Sequence, residues 1–113
     1  MSDCLFCKII NGDIPSTKVY ENDYVYAFLD IEPQAPFHTI IVPKVHIASA
    51  DEINDENSIY IAKIFEAVAE IAKQENLENG YRVVNNCGED AGQTVHHIHF
   101  HLLARRNLQW PPG

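Results

Sequence analysis

Apolar positions along the chain fall into short runs and one long helical stripe. Residues 5–10 are apolar around Lys8 and stop at Asn11-Gly12, which predicts a short helix with a left-handed cap. Residues 18–21 and 24–30 are rich in Val, Tyr and Phe and flank the polar pair Asn22-Asp23, so they predict a hairpin. After the turn-like stretch 32–36, residues 38–42 are apolar and β-branched and predict a strand ending at Pro43. Ile61, Ile64, Phe65, Val68, Ile71 and Ala72 recur at helical spacing, which predicts a long helix closing near Asn79-Gly80. Two further strands are predicted at 81–86 and 95–104, separated by a polar, glycine-containing loop at 87–92. Strand runs on either side of one helix favour an α+β fold: a five-stranded, mostly antiparallel sheet with one long helix and a short N-terminal helix.

Length and composition add bounds to this picture. The 113 residues carry 8 basic and 16 acidic side chains, a formal charge of −8. They are expected to form one domain over 1–113, since a second has no room. Binding a nucleic-acid polymer requires clustered Lys and Arg, which the acidic excess argues against. No apolar run approaches the ~18 residues that would span a membrane, and the start Met1-Ser2-Asp3-Cys4 lacks a signal-peptide pattern, so a cytoplasmic location is expected. The tail Trp110-Pro111-Pro112-Gly113 cannot extend a sheet.

The last strand carries the unusual chemistry. Side chains alternate across a strand, so Val95, His97, His99, His101 and Leu103 share one face while Ile98, Phe100 and Leu102 share the other. Neighbouring imidazoles on one face lie roughly 6.5 to 7 Å apart, close enough to act on one small ligand or to divide between two adjacent sites. A lone histidine reads as half-exposed surface. Three in strict alternation read as function, because alternation aligns their donors. Two chemistries compete. The rings could hold a catalytic zinc whose bound water attacks. Alternatively one neutral imidazole attacks phosphorus directly and forms a covalent intermediate. Spacing alone leaves both open.

The run His97-Ile98-His99-Phe100-His101-Leu102-Leu103 resembles the signature of the histidine triad (HIT) superfamily of nucleotide hydrolases and transferases. Phe28-Leu29-Asp30-Ile31, Pro33-Gln34-Ala35-Pro36, His38 with Ile41-Val42-Pro43-Lys44, Gly92-Gln93-Thr94-Val95 and the Trp110-Pro111-Pro112-Gly113 ending are similar to its Hint branch, the purine nucleoside phosphoramidases. The resemblance spans almost the whole chain and implies the HIT-like fold. It also implies a homodimer with the Trp110 tail near the partner's site, and purine mononucleotide conjugates as substrates. Under it His99 is the nucleophile, and His101 and His38 contact phosphate or support the nucleophilic ring. Gln93 and Thr94 hold phosphate oxygens and assist the leaving group, and Asn86 shapes the phosphate end. Asp30 accepts from ribose hydroxyls while Phe28 and Ile31 line the base. Thr94 stands where the branch more often has Ser. It keeps the hydroxyl and adds a methyl. A non-catalytic nucleotide-binding or partner-binding module is the remaining alternative. A mononucleotide phosphate can be held by imidazoles, an amide, a hydroxyl and the N–H groups of loop 88–92 without any basic patch.

Cys4 and Cys7 have a metal-knuckle spacing but supply two ligands where zinc takes four. His46 and His97 are candidates for the others, and the resemblance to zinc-bearing members implies a structural Cys4-Cys7-His46-His97 site that is not itself catalytic. An apolar or redox role for the cysteine pair is the competing reading. A thioredoxin-like pair would open a helix within a βαβ unit, which is not predicted here. Cys87 is expected to be a free thiol, and His96 to point to the opposite face from the triad.

Overall fold

The structure, a computed structural model, describes residues 3–113. A short helix α1 (Leu5–Ile10) precedes the strands β1 (Lys18–Glu21), β2 (Val25–Leu29) and β3 (Phe37–Pro43). A 3-10 turn (Ala50–Glu52), not anticipated from the pattern, leads into the long helix α2 (Ser58–Gln74). Strands β4 (Tyr81–Val84) and β5 (Phe100–Ala104) complete a five-stranded sheet of order β1-β2-β3-β5-β4, antiparallel at every pairing. No helix of the described residues is long and apolar enough to cross a membrane.

Alternation in the strands assigns each face of the sheet a different cover. Val25, Ala27, Phe37, Ile41, Phe100, Leu102 and Ala104 face α2, whose buried stripe is Ile64, Ala67, Val68 and Ile71. Burying each large aliphatic side chain there contributes about 1.5–3 kcal/mol. On the opposite face Phe28, Ile40 and Val42 pack against Phe6 and Ile9 of α1. The central strand β3 is therefore buried at all seven positions. Its His38 and the His101 of β5 belong to the α1 face, beside the smaller apolar cluster.

Three boundaries differ from the pattern by two residues or more, each for a local reason. The long helix ends at Gln74 rather than near Asn79-Gly80. Asn76 takes a left-handed conformation (φ 58), the Leu77 N–H bonds back to the Ala72 carbonyl at 2.9 Å and the Asn76 N–H to Lys73 at 3.3 Å, which closes the helix as a Schellman motif. The last strand begins at Phe100 rather than at 95. Extending the Ile41–Phe100 register two residues would set Ile98 against Pro43, which has no N–H to give. The Ile98 N–H instead donates to the Ile47 carbonyl at 2.6 Å. Strand β4 stops at Val84 rather than 86, and the Asn85 side-chain amide donates to the His99 carbonyl at 2.9 Å. Residues 95–99, with two of the three triad histidines, thus form an irregular segment whose shape depends on side-chain and loop hydrogen bonds.

Candidate functional site

Hydrogen bonding dictates where each ring carries its proton. The backbone N–H of Gln34 donates to His38 Nδ1 at 2.9 Å, so that nitrogen holds a lone pair and the proton of neutral His38 sits on Nε2. His38 Nε2–H then donates to His101 Nδ1 at 2.8 Å, which leaves the His101 proton on its own Nε2. The Asp30 carboxylate lies 3.4 Å from His38 Nε2, and its other oxygen accepts the Glu32 N–H at 2.8 Å. Asp30 therefore caps the 30–32 turn while facing the histidine pair. Burial pushes His101 down to about 4, with His99 and His38 adding to the effect. Burial also lowers His38, against the opposing pull of Asp30. Both rings are neutral at pH 7.

His99 is oriented by the chain immediately before it. Its Nδ1–H donates to the His97 carbonyl at 2.8 Å, so Nε2 of the neutral ring carries the lone pair. Burial keeps the ring below the ordinary histidine range. Phe6 of α1 meets the ring edge-on at a centroid distance of 4.9 Å, and His101 flanks it at 5.2 Å. The result is a buried, uncharged imidazole with a defined tautomer, beside a second imidazole whose Nε2–H is available to donate.

His97, fully buried, faces a different group of residues. Its Nε2–H donates to the Pro43 carbonyl at 3.0 Å, and its Nδ1 lone pair lies 3.3 Å from Cys4 Sγ and 3.5 Å from Cys7 Sγ. His46 Nδ1 is 3.5 Å from Cys7 Sγ. Burial holds His97 down to about 4, and burial together with the Cys4 thiol raises Cys7. All four potential ligand atoms lie within 4.8 Å of one another. A tetrahedral zinc with bonds of about 2.3 Å to sulfur and 2.0 Å to nitrogen sets S···N edges near about 3.5 Å, which these separations match. The donor set of two soft thiols and two imidazoles suits the same ion. The hydrogen bond to Pro43 is the outer-shell contact that fixes a ligating tautomer.

The three triad rings do not share a focus. His97 turns its lone pair toward the cysteines, His99 turns Nδ1 toward a carbonyl, and His101 turns Nδ1 toward His38. Among the described residues, the metal-capable groups are Cys4-Cys7-His46-His97 and Asp30-His38-His101, and neither gathers His97, His99 and His101. This divergence speaks against the alternative of a catalytic zinc held by all three triad rings. In the second group the short contact between His38 and His101 is accounted for by their shared proton.

The remaining predicted residues are distributed around this pair of sites. Gln93 is buried, and both hydrogens of its amide are engaged, by the carbonyls of Ala48 at 2.8 Å and Val95 at 3.1 Å. Its carbonyl oxygen accepts the Gly88 N–H at 3.0 Å. As folded, Gln93 ties loop 88–92 to the rest of the chain and has no free N–H for a phosphate oxygen, contrary to the role expected of it. Thr94 is exposed at the edge of a depression shared with Cys4, His46, Val95 and His96. Asn86 is half-buried on the triad side of β4, two residues beyond Val84, which pairs with His101. Phe28 is buried under the site, and Ile31 is 95% exposed at its rim. Cys87 is a free, half-buried thiol and His96 is exposed.

Sequence reasoning did not identify Phe6, Asn85 or the Gln34 backbone as site-builders. Phe6 reads as an ordinary apolar helix residue, and its position between Cys4 and Cys7 was the available signal.

Comparison with known proteins gives the family to which this fold belongs. A family model described as the HIT domain matches residues 11–108. A 14 kDa zinc-binding protein of Zea mays is 49% identical over 120 residues, covering 99% of this chain and 89% of the maize protein. A crystal structure of a HIT family hydrolase from Legionella pneumophila superimposes with a TM-score of 0.95 at 49% identity, covering 98% of this chain and 100% of that one. A histidine triad nucleotide-binding protein from Candida albicans superimposes with a TM-score of 0.85 at 38% identity, covering 96% of this chain and 83% of that one. With its triad strand, its sheet order and this breadth of similarity, the chain belongs to the HIT domain family.

Proposed function

We propose that the protein is a hydrolase that cleaves the phosphorus–nitrogen bond of purine nucleoside phosphoramidates through a nucleotidyl-His99 intermediate. The observation that carries this reading is the His99 tautomer: Nδ1–H is held by the His97 carbonyl, leaving Nε2 as a neutral nucleophile at pH 7. In the first step the Nε2–P bond forms and the P–N bond breaks, and the amine nitrogen takes up a proton from solvent as it leaves. In the second step water attacks phosphorus and gives up a proton to solvent, the Nε2–P bond breaks, and the nucleotide is released with His99 neutral again. Negative charge on the phosphoryl oxygens is met by His101 Nε2–H and by N–H groups of loop 88–92 other than those of Gly88 and Gly92, which bond within the loop. Thr94 supplies a hydroxyl to the leaving group, and Asn86 borders the phosphate end. Asp30 accepts from the ribose hydroxyls, and Ile31 with Phe28 provides the apolar surface for a purine.

The metal we assign to Cys4, Cys7, His46 and His97 is zinc in a structural role. The fit of the S···N separations to a tetrahedron and the similarity to the maize zinc-binding protein support it. When bound, zinc would hold both thiols as thiolates and tie α1 to the triad segment.

The chain is proposed to work as one domain and as a homodimer. The unpaired outer edge of β4, with Tyr81 exposed on it and Ile59 and Phe65 exposed on α2, supports association of two copies. Trp110, 79% exposed, is available to reach a partner's site. Turnover of an adenosine phosphoramidate, lost in His99→Ala while the fold is retained, tests the activity. Unchanged turnover in that variant rejects it.

A further inference from the structure

We infer that His97 is a positioning residue that makes the orientation of the His99 ring depend on whether the Cys4-Cys7-His46-His97 cluster holds its metal. His97 makes two connections at once. Its ring faces Cys4 and Cys7 at 3.3 and 3.5 Å, and its own backbone carbonyl holds the His99 Nδ1–H at 2.8 Å. The segment between them is outside the regular ladder, since β5 begins only at Phe100. The peptide unit that carries the His97 carbonyl is held instead through its Ile98 N–H, which donates at 2.6 Å to the carbonyl of Ile47, the neighbour of His46. Its position depends on what holds the His97 ring on one side and the 46–47 segment on the other.

With the cluster filled, both nitrogens of the buried His97 ring are satisfied, one by metal and one by the Pro43 carbonyl. Without the metal, Nδ1 faces two sulfurs, whose S–H groups are weak donors. A buried acceptor so poorly satisfied is costly, and the ring gains by moving. Phe6 gives a second connection. Cys4 caps α1, its Sγ accepting the Cys7 N–H at 3.4 Å, so the two thiols bracket Phe6 in sequence. The Phe6 ring is edge-on to both His97, at 6.0 Å, and His99, at 4.9 Å. Anchoring Cys4 and Cys7 thus presses one aromatic ring against the nucleophile. Loosening them frees it.

The kinetic part of this inference rests on the proposed activity, whereas its spectroscopic part does not. The test uses the full chain labelled with 15N at histidine, loaded with zinc, then stripped with a chelator and reloaded. Imidazole nitrogen shifts, assigned to His99 by its absence in His99→Ala, report the tautomer directly. The loaded chain is expected to show His99 protonated at Nδ1 alone. The stripped chain shows averaged nitrogen shifts and a kcat for adenosine phosphoramidate lowered roughly tenfold or more, the scale of lost outer-shell contacts, with KM changed far less. Reloading restores both. His46→Ala, which removes an exposed ligand remote from the His99 ring, should reproduce the stripped spectrum, and His46→Cys should restore the loaded one. Should stripping unfold the chain, His46→Ala decides, because it leaves both thiols and His97 in place. Identical His99 shifts with and without metal, or a chain that takes up no zinc, would overturn the inference. Moving shifts in a protein that cleaves no phosphoramidate would uphold it and reject the activity instead.

Discussion

His38 Nε2 lies 2.8 Å from His101 Nδ1, and the Gln34 N–H on the far side of His38 fixes which of the two atoms carries the proton. A peptide N–H can only donate, so the direction of the whole chain is set by the backbone of the 30–38 turn. Its output is a proton on His101 Nε2, beside the His99 ring. A neutral ring that would otherwise sample two tautomers is held in one.

Removing His38 should therefore act on His101 rather than on the nucleotide. His38→Ala is expected to lower kcat on the order of a hundredfold, the scale of a misplaced catalytic group, with a smaller change in KM. His38→Gln, whose amide can still donate to Nδ1, should recover part of the loss. Equal kcat in all three proteins by steady-state assay would refute the relay.

Gln93 closes the loop from inside. Truncating it to Ala leaves the Gly88 N–H and the Ala48 and Val95 carbonyls without their partner. The expected loss is about 2 kcal/mol or more of stability, read as a fall of roughly 10 °C in Tm. Turnover should also fall as the 88–92 loop loosens. A Tm within about 2 °C of the parent would show that water takes over these bonds at little cost.

Much of this site was legible in the chain, and the parts that were not have a common cause. The alternation of Ile98, Phe100 and Leu102 with His99 and His101 separates core from chemistry, because alternation survives even where the ladder does not. The Cys4–Cys7 spacing and the candidates His46 and His97 meet in one cluster. What the pattern does not contain is hydrogen-bond direction. The family resemblance implies a phosphate role for Gln93, whereas its amide is fully engaged by backbone groups 2 and 45 residues away. Asn85 reads as a strand end, yet its amide takes the His99 carbonyl. The α2 terminus was misplaced because Asn76, four residues ahead of Gly80, already takes a left-handed conformation, and asparagine tolerates it well enough to stop a helix.

Acid should destabilise the fold through its buried histidines. His101 sits at about 4 in the folded chain and near about 6.5 when unfolded, so the unfolded chain binds the extra proton. Its stabilising contribution is complete above about pH 6.5 and declines as pH falls toward about 4. Urea unfolding at pH 7 and pH 5 should show the parent losing more stability than His101→Asn over that interval. Parallel losses in the two proteins would mean that His101 does not titrate as its burial requires.

The central claim is that His99 Nε2 becomes covalently bonded to phosphorus. Rapid acid-free quenching of a single turnover with radiolabelled adenosine phosphoramidate, followed by peptide mapping, tests it most directly. We expect one adenylyl group per active site on the peptide carrying His99, forming and decaying at rates that account for kcat, and no label in His99→Ala. Hydrolysis at an undiminished rate in a protein that never carries label on His99 would contradict the account.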